Sequence, residues 1–182
     1  MKNQLILKLP FKGKLICLQG NKSKRSHKKE YPNTKYSIDF SLKTNRSFPL
    51  LASARGKAKI WRCCNHKSGN CKCGLGFGNQ IRVYHGKYFI FYSHLSKILV
   101  RDGQHVKQGS VIGIAGKTGL AGNIHLHWTL GIESKKIMKV KGRFIPFWSI
   151  KANKIEIIEK GKKKIVSSTY FKEGKTYQST IK

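Results

Sequence analysis

The feature that most constrains the fold is the punctuation of the chain. Short runs rich in β-branched and aromatic residues alternate with Gly, Asn, Pro and Lys, and no stretch carries the period of a long amphipathic helix. Strands are expected around 4–19, in two pieces broken near Pro10 and Gly13, then at Tyr36–Leu42, Pro49–Ala52 and Lys57–Arg62. Asn79–Tyr84 and Lys87–Tyr92 read as a tight hairpin with His85-Gly86 at its turn, followed by strands near Val106, at Val111–Ala115 and at His125–Ile132. Weaker strand signals follow at Lys154–Ile158 and Lys163–Val166. Residues 20–35 are polar and loop-like, and 63–78 form a Cys- and Gly-rich loop or insertion. These signals predict an all-β fold, a small antiparallel β-sandwich or partly open barrel. With 182 residues and no internal repeat, a single domain is expected.

Charge narrows the partners. The chain has 38 Lys and Arg against 7 Asp and Glu, a formal net charge of +31. Such a surface attracts polyanions, among them anionic cell-wall polymers and nucleic acid, although a Lys-rich solvated surface is an equally good account. The aromatics form no base-stacking motif, which disfavours nucleic acid without excluding it. No apolar run approaches the ~20 residues needed to cross a bilayer as a helix. The N-terminal LILKLPF is interrupted by Lys8 and Pro10, so it reads as a strand and not as a signal peptide.

Scarcity of acids makes one of them conspicuous. Asp39 stands between Ile38 and Phe40, and a strand would point it away from both. Facing inward it needs a partner, because an unpaired buried carboxylate costs several kcal/mol (~3–5); facing outward it is an ordinary edge residue. His125-Leu126-His127-Trp128 places two imidazoles on one strand face, about 7 Å apart. Leu126, Trp128 and Leu130 fill the other face. His27 in the polar loop and His94 after the hairpin complete the set. Each position alone fits an ordinary polar residue. In combination, two imidazoles and a carboxylate are the donor set of a catalytic zinc, three protein ligands leaving one position open.

The order of these residues and the text around them resemble the lysostaphin-type metallopeptidases, the M23 family, which cut peptide bonds in bacterial cell walls. The matching text is Ser26-His27 before Y-S-I-D-F, F-P-L-L-A-S-A-R-G-K-A at 48–58, G-N-Q-I-R-V-Y-H-G at 78–86 and Y-S-H-L-S at 92–96. It continues with V-R-D-G-Q-H-V-K-Q-G-S-V-I-G-I-A-G-K-T-G at 100–119 and H-L-H-W at 125–128. The likeness covers about 18–132, which it marks as a peptidase core, with 133–182 as a C-terminal β extension packed on it. The resemblance implies a fold like the duplicated hybrid motif with an active-site groove, zinc held by His27, Asp39 and His127, and His94 and His125 as further active-site residues. It also implies a peptidoglycan peptide substrate and an extracellular or cell-envelope location. Two departures stand out: many members have H-x-x-x-D where this chain has Lys35, and Gly122-Asn123-Ile124 replaces a Pro-bearing turn.

The implied chemistry follows from the ion. Zinc lowers the pKa of bound water from about 15.7 toward about 7 and polarises a carbonyl. His125 is expected as general base and later proton donor, and His94 as oxyanion stabiliser or partner in the proton work, with the reverse division open. Gly113, Gly116, Gly119 and Gly122 either let backbone approach a peptide or simply make turns. Cys63, Cys64, Cys71 and Cys73, beside His66, suit two disulfides or free thiols. The spacing C-C-x6-C-x-C suits structural zinc least. Cys17 reads as a small buried hydrophobe.

Overall fold

A computed structural model describes residues 5–63, 70–140 and 143–181, with side chains omitted at 135–140 and 143–146. Strand β1 (Leu7–Lys8) precedes β2 (Lys14–Gln19), β3 (Ile38–Ser41), β4 (Pro49–Leu51) and β5 (Gly56–Trp61). Then come β6 (Gln80–His85), β7 (Tyr88–Ser93), β8 (Leu95–Ile98), β9 (His105–Val106) and β10 (Val111–Ala115). The chain ends with β11 (Leu126–Val140), β12 (Arg143–Ile150), β13 (Ile155–Glu159), β14 (Lys162–Val166) and β15 (Thr176–Gln178). The only helical pieces among the described residues are short 3-10 turns at Cys73–Gly76 and Ser168–Tyr170. The fold is all β, as the sequence predicts.

One large sheet runs β1-β13-β15-β2-β3-β11-β7-β6-β5-β9, with β12 on β11 and β14 on β13, and a small sheet orders β4-β10-β8. Pairing is antiparallel except between β1 and β13. Period-two alternation explains how the central strands bury both faces. Ile90 and Tyr92 of β7, with Leu126, Trp128 and Leu130 of β11, enter the main core with Phe11, Phe40 and Leu50. Phe89 and Phe91 of β7 point the other way and pack with Phe77 and Phe147. Arg82 lies against that aromatic layer, its guanidinium 4.6 Å from the Trp61 ring and 4.8 Å from Phe89, and ion-pairs with Glu133 at 2.8 Å.

Several boundaries differ from expectation. The hairpin turn is Gly86-Lys87, since His85 still pairs with Tyr88. Strand β11 starts at Leu126 and runs on to Val140, while His125 makes only an isolated bridge to Gly116. Strand β12 was not expected, because its pairing along β11 supplies what its short, Pro-interrupted sequence signal lacks. The C-terminal segment joins the sheet edge to edge, Tyr177 opposite Leu15 and Ile155 opposite Leu7.

Trp128 is fully buried and its indole N–H donates to Ser53 Oγ at 3.1 Å. Trp128→Ala is expected to cost about 3–5 kcal/mol of stability, read from urea unfolding of the variant beside the wild type.

Candidate active site

Four neighbouring strands carry the site across the sheet in one row. Gln19 of β2 is opposite Asp39 of β3, Asp39 is opposite His127 of β11, and His127 is opposite Ser93 of β7, with His94 next in the chain. The register is therefore what brings these residues together. A bulge in β2 between Cys17 and Gln19 matters here. Cys17 pairs with Phe40 on the core side, and the extra residue then turns Gln19 toward Asp39. Gln19 donates from Nε2 to Asp39 Oδ2 at 3.0 Å and accepts from the Ser26 backbone N–H at 3.2 Å.

The polar loop supplies His27, which is fully buried. Its Nδ1 lies 3.1 Å from the Gly20 carbonyl, which can only accept, so Nδ1 carries the proton and Nε2 presents a lone pair. That Nε2 is 3.2 Å from Asp39 Oδ1 and 3.2 Å from His127 Nδ1, and His127 Nδ1 is 3.0 Å from Asp39 Oδ1. Three electron-pair donors thus form a small triangle with too few protons to hydrogen-bond every edge. A tetrahedral ion with bonds of about 2.0–2.1 Å to nitrogen and oxygen sets its ligands about 3.3 Å apart. The triangle fits such an ion closely.

Electrostatics agree with the geometry. Burial alone would push the Asp39 carboxyl up, but the neighbouring His27 and His127 imidazoles outweigh it and hold the group well below the usual carboxylate range. Burial pushes His127 down, against the opposing pull of Asp39. The buried site thus favours an ionised Asp39 beside a neutral His127, the protonation state a divalent cation requires of these two groups.

The other two histidines sit beside the triangle. The rings of His94 and His125 are 4.6 Å apart between centroids, and His94 lies 6.0 Å from His127. His94 has φ +65, a left-handed conformation at the end of β7. Its Nδ1–H donates to the Thr118 carbonyl at 2.8 Å, and His125 Nδ1–H donates to the Asn123 carbonyl at 2.9 Å. Both rings therefore carry their free lone pair on Nε2. Burial, followed by the neighbouring His125 and His127, holds His94 well below the ordinary histidine value. The Thr118 turn is pinned by close backbone approach. Gly119 has φ +79, and a Cβ there would lie 2.4 Å from the Gly78 nitrogen.

A cleft of about 790 Å³ opens beside these groups, with Asp39, His94, His125 and His127 in its lining. Arg25 and Tyr31 line it from the polar loop, with Leu75 and Leu120 from other loops. A second concavity of similar volume, beside Tyr170 and Tyr177, carries no histidine and lies apart from this chemistry.

The model of Peptidase family M23 matches residues 33–139. The chain belongs to this family. Among its relatives, the peptidoglycan DD-endopeptidase ShyA of Vibrio cholerae is 42% identical over 65 residues, 35% of this chain and 15% of ShyA. Lysostaphin of Staphylococcus simulans is 34% identical over 101 residues, 54% of this chain and 18% of lysostaphin. The chain thus spans less than a fifth of these two curated relatives. The solved lysostaphin structure superposes with a TM-score of 0.51 at 28% identity, covering 67% of this chain and 44% of that one. A zinc-containing peptidase from Vibrio cholerae shares the fold, with a TM-score of 0.52 at 24% identity over 79% of this chain and 39% of its own.

The M23 chain brings all five expected side chains, His27, Asp39, His94, His125 and His127, into one place. Sequence reasoning missed Gln19, which strict alternation assigns to the core, and Phe77, whose ring lies 5.4 Å from His127. In the cysteine loop Cys63 and Cys73 form a disulfide, and Cys71 Sγ accepts from the Cys73 N–H at 3.4 Å. Cys64 and His66 lie outside the described residues. Cys17 is buried as expected, its thiol pushed up to about 12 by desolvation.

The depressed His94 value has a stability consequence in metal-free protein. Below the unfolded histidine value of about 6.5 the unfolded chain takes up a proton that folded His94 refuses, so stability falls as pH falls. Urea melts at about pH 7.5 and about pH 5.5 should show this loss. It should be smaller in His94→Asn, by up to ~1.4 kcal/mol per pH unit, asparagine being tolerant of the left-handed backbone.

Proposed function

We propose that this chain is a zinc-dependent endopeptidase acting on peptide bonds of bacterial peptidoglycan, with His27, Asp39 and His127 as the metal ligands. The observation that carries the reading is the buried triangle of 3.0–3.2 Å edges, two corners of which, Asp39 and His127, line the cleft. A bound zinc ion supplies Lewis acidity, polarising a carbonyl and acidifying water.

The protein's own groups do the rest. The cleft orients an extended peptide, and the aromatic rings of Phe77 and Phe91, 5.4 and 6.0 Å from His127, exclude water behind that ligand. Gln19 holds the second carboxylate oxygen, fixing which oxygen faces the donors. His94 is buried and neutral with its Nε2 lone pair unspent, so it accepts a hydrogen bond from a reacting group without taking its proton. His125 is only partly buried and lines the cleft, so its Nε2 is placed to take a proton from water and return it to the leaving amine. This is one of the two divisions that the sequence leaves open. It rests on the Nδ1 hydrogen bonds and on the difference in burial.

ShyA, by name a peptidoglycan DD-endopeptidase, supports peptidoglycan as the substrate class. The +31 charge suits retention on anionic wall polymers. A catalytically silent regulator finds no support, since no expected side chain is missing from the site. A nucleic-acid reading gains none either, because Phe40, Phe89, Phe91 and Trp128 are in the core and Trp148 is the one aromatic among the exposed large apolar side chains of the described residues.

Zinc titration of metal-free protein should give one tight equivalent that weakens as pH falls through the histidine range. His127→Ala should lose that equivalent and release no peptidoglycan fragments by mass analysis. Gln19→Leu should weaken zinc about 10–100-fold. His125→Ala should keep zinc yet lower kcat by about 10²–10⁴-fold.

A further inference from the structure

Two leucines line the cleft with their side chains largely in solvent: Leu75 is 56% exposed and Leu120 is 51% exposed. A single exposed leucine is ordinary. These two are not independent, because their loops are bonded together. Leu120 N–H donates to the Gly76 carbonyl at 2.7 Å, and Cys71 N–H donates to the Gly119 carbonyl at 3.1 Å. The Leu120 side chain lies over Gly76, where a Cβ would come within 3.0 Å of Leu120 Cδ1. The Cys63–Cys73 disulfide and the Gln80 Nε2 bond to the Gly74 carbonyl anchor the same turn.

Leu75 is also held in an unusual conformation. Gly74, Leu75 and Gly76 are consecutive left-handed residues, with φ of +57, +59 and +88. A bulky side chain there is disfavoured by contact between Cβ and the following carbonyl. Glycine or asparagine would take the same backbone with less strain. An apolar side chain kept under strain, half in solvent and lining the same cleft as His94 and His125 points to a ligand contact.

We infer that Leu75 and Leu120 form an apolar subsite of the cleft that covers a side chain next to the scissile bond. The inference rests on the peptidase reading and narrows its substrate to peptides bearing an alanine-sized or larger apolar residue there. Consecutive glycines offer these leucines nothing to cover. One methyl or methylene group in such a subsite discriminates by about tenfold or more.

The test uses the full chain, freed of metal with chelator so that no peptide is cut. Calorimetry compares blocked pentaglycine with blocked peptides carrying L- or D-alanine at the central positions. Wild type should bind one of the alanine peptides about tenfold tighter than pentaglycine. Leu75→Asn and Leu120→Ser should lose that preference without changing the pentaglycine affinity, while Leu75→Met should retain it. Both leucines are exposed, so these variants should fold, and Leu75→Asn should unfold at a higher temperature than wild type. Equal affinity of wild type for all the peptides overturns the subsite, as does a preference that survives both polar variants. Digestion of whole peptidoglycan by the zinc-loaded chain reports separately on the hydrolase. Digestion with equal peptide affinities removes the subsite alone, and an intact alanine preference without digestion removes the hydrolase reading alone.

Discussion

Asp39 is only 7% exposed and stays ionised, and its carboxylate shares the interior with His27 and His127 at 0% and 4% exposure. A charge so placed costs several kcal/mol (~3–5) when its partners are taken away. Much of the architecture answers that cost. Strands β2, β3, β11 and β7 are registered so that Gln19, Asp39, His127 and Ser93 stand in one line. The polar loop folds back to bring His27 to the same carboxylate, closed by the Lys22 N–H bond to the Lys35 carbonyl at 2.7 Å. The Gln19 amide meets one oxygen and the two imidazoles meet the other. On the proposed reading, a divalent cation supplies the positive charge that balances this carboxylate.

The same constraint explains why distant parts of the chain bear on the site. Strand β15 pairs with β2, so the C-terminal segment, beyond the 33–139 stretch matched by the family, buttresses the strand that carries Gln19. On the other side, Phe77, Phe91 and Phe147 pack behind His127, and Arg82 closes the far edge of that layer through Glu133. Side chains locked by such packing hold a donor set in place far better than loops would. His94, at its left-handed position, is fixed instead by the Thr118 carbonyl.

The sequence reveals much of this because it alternates strongly. Tyr36–Leu42 and His125–Ile132 announce their strands, and the isolation of Asp39 among apolar neighbours marks it for a partner. The H-x-H spacing gives a shared face without the structure. Other features depend on contacts that no local pattern records. Gln19 falls on the core parity of β2 and reaches Asp39 only through a one-residue bulge. Strand β12 draws its stability from β11 and not from its own composition. The roles of His94 and His125 stay interchangeable in sequence, since burial and the Nδ1 partners that separate them are tertiary. Leu75 reads as an unremarkable loop residue until its φ of +59 is known.

The most direct measurement is X-ray absorption at the zinc edge on purified, metal-loaded protein. The account predicts one zinc per chain in a shell of nitrogen and oxygen at about 2.0–2.1 Å, with the multiple-scattering pattern of two imidazoles. A shell containing sulfur at about 2.3 Å would place the metal in the cysteine loop instead. That result, or a protein that retains no zinc while His27, Asp39 and His127 are intact, would contradict the account.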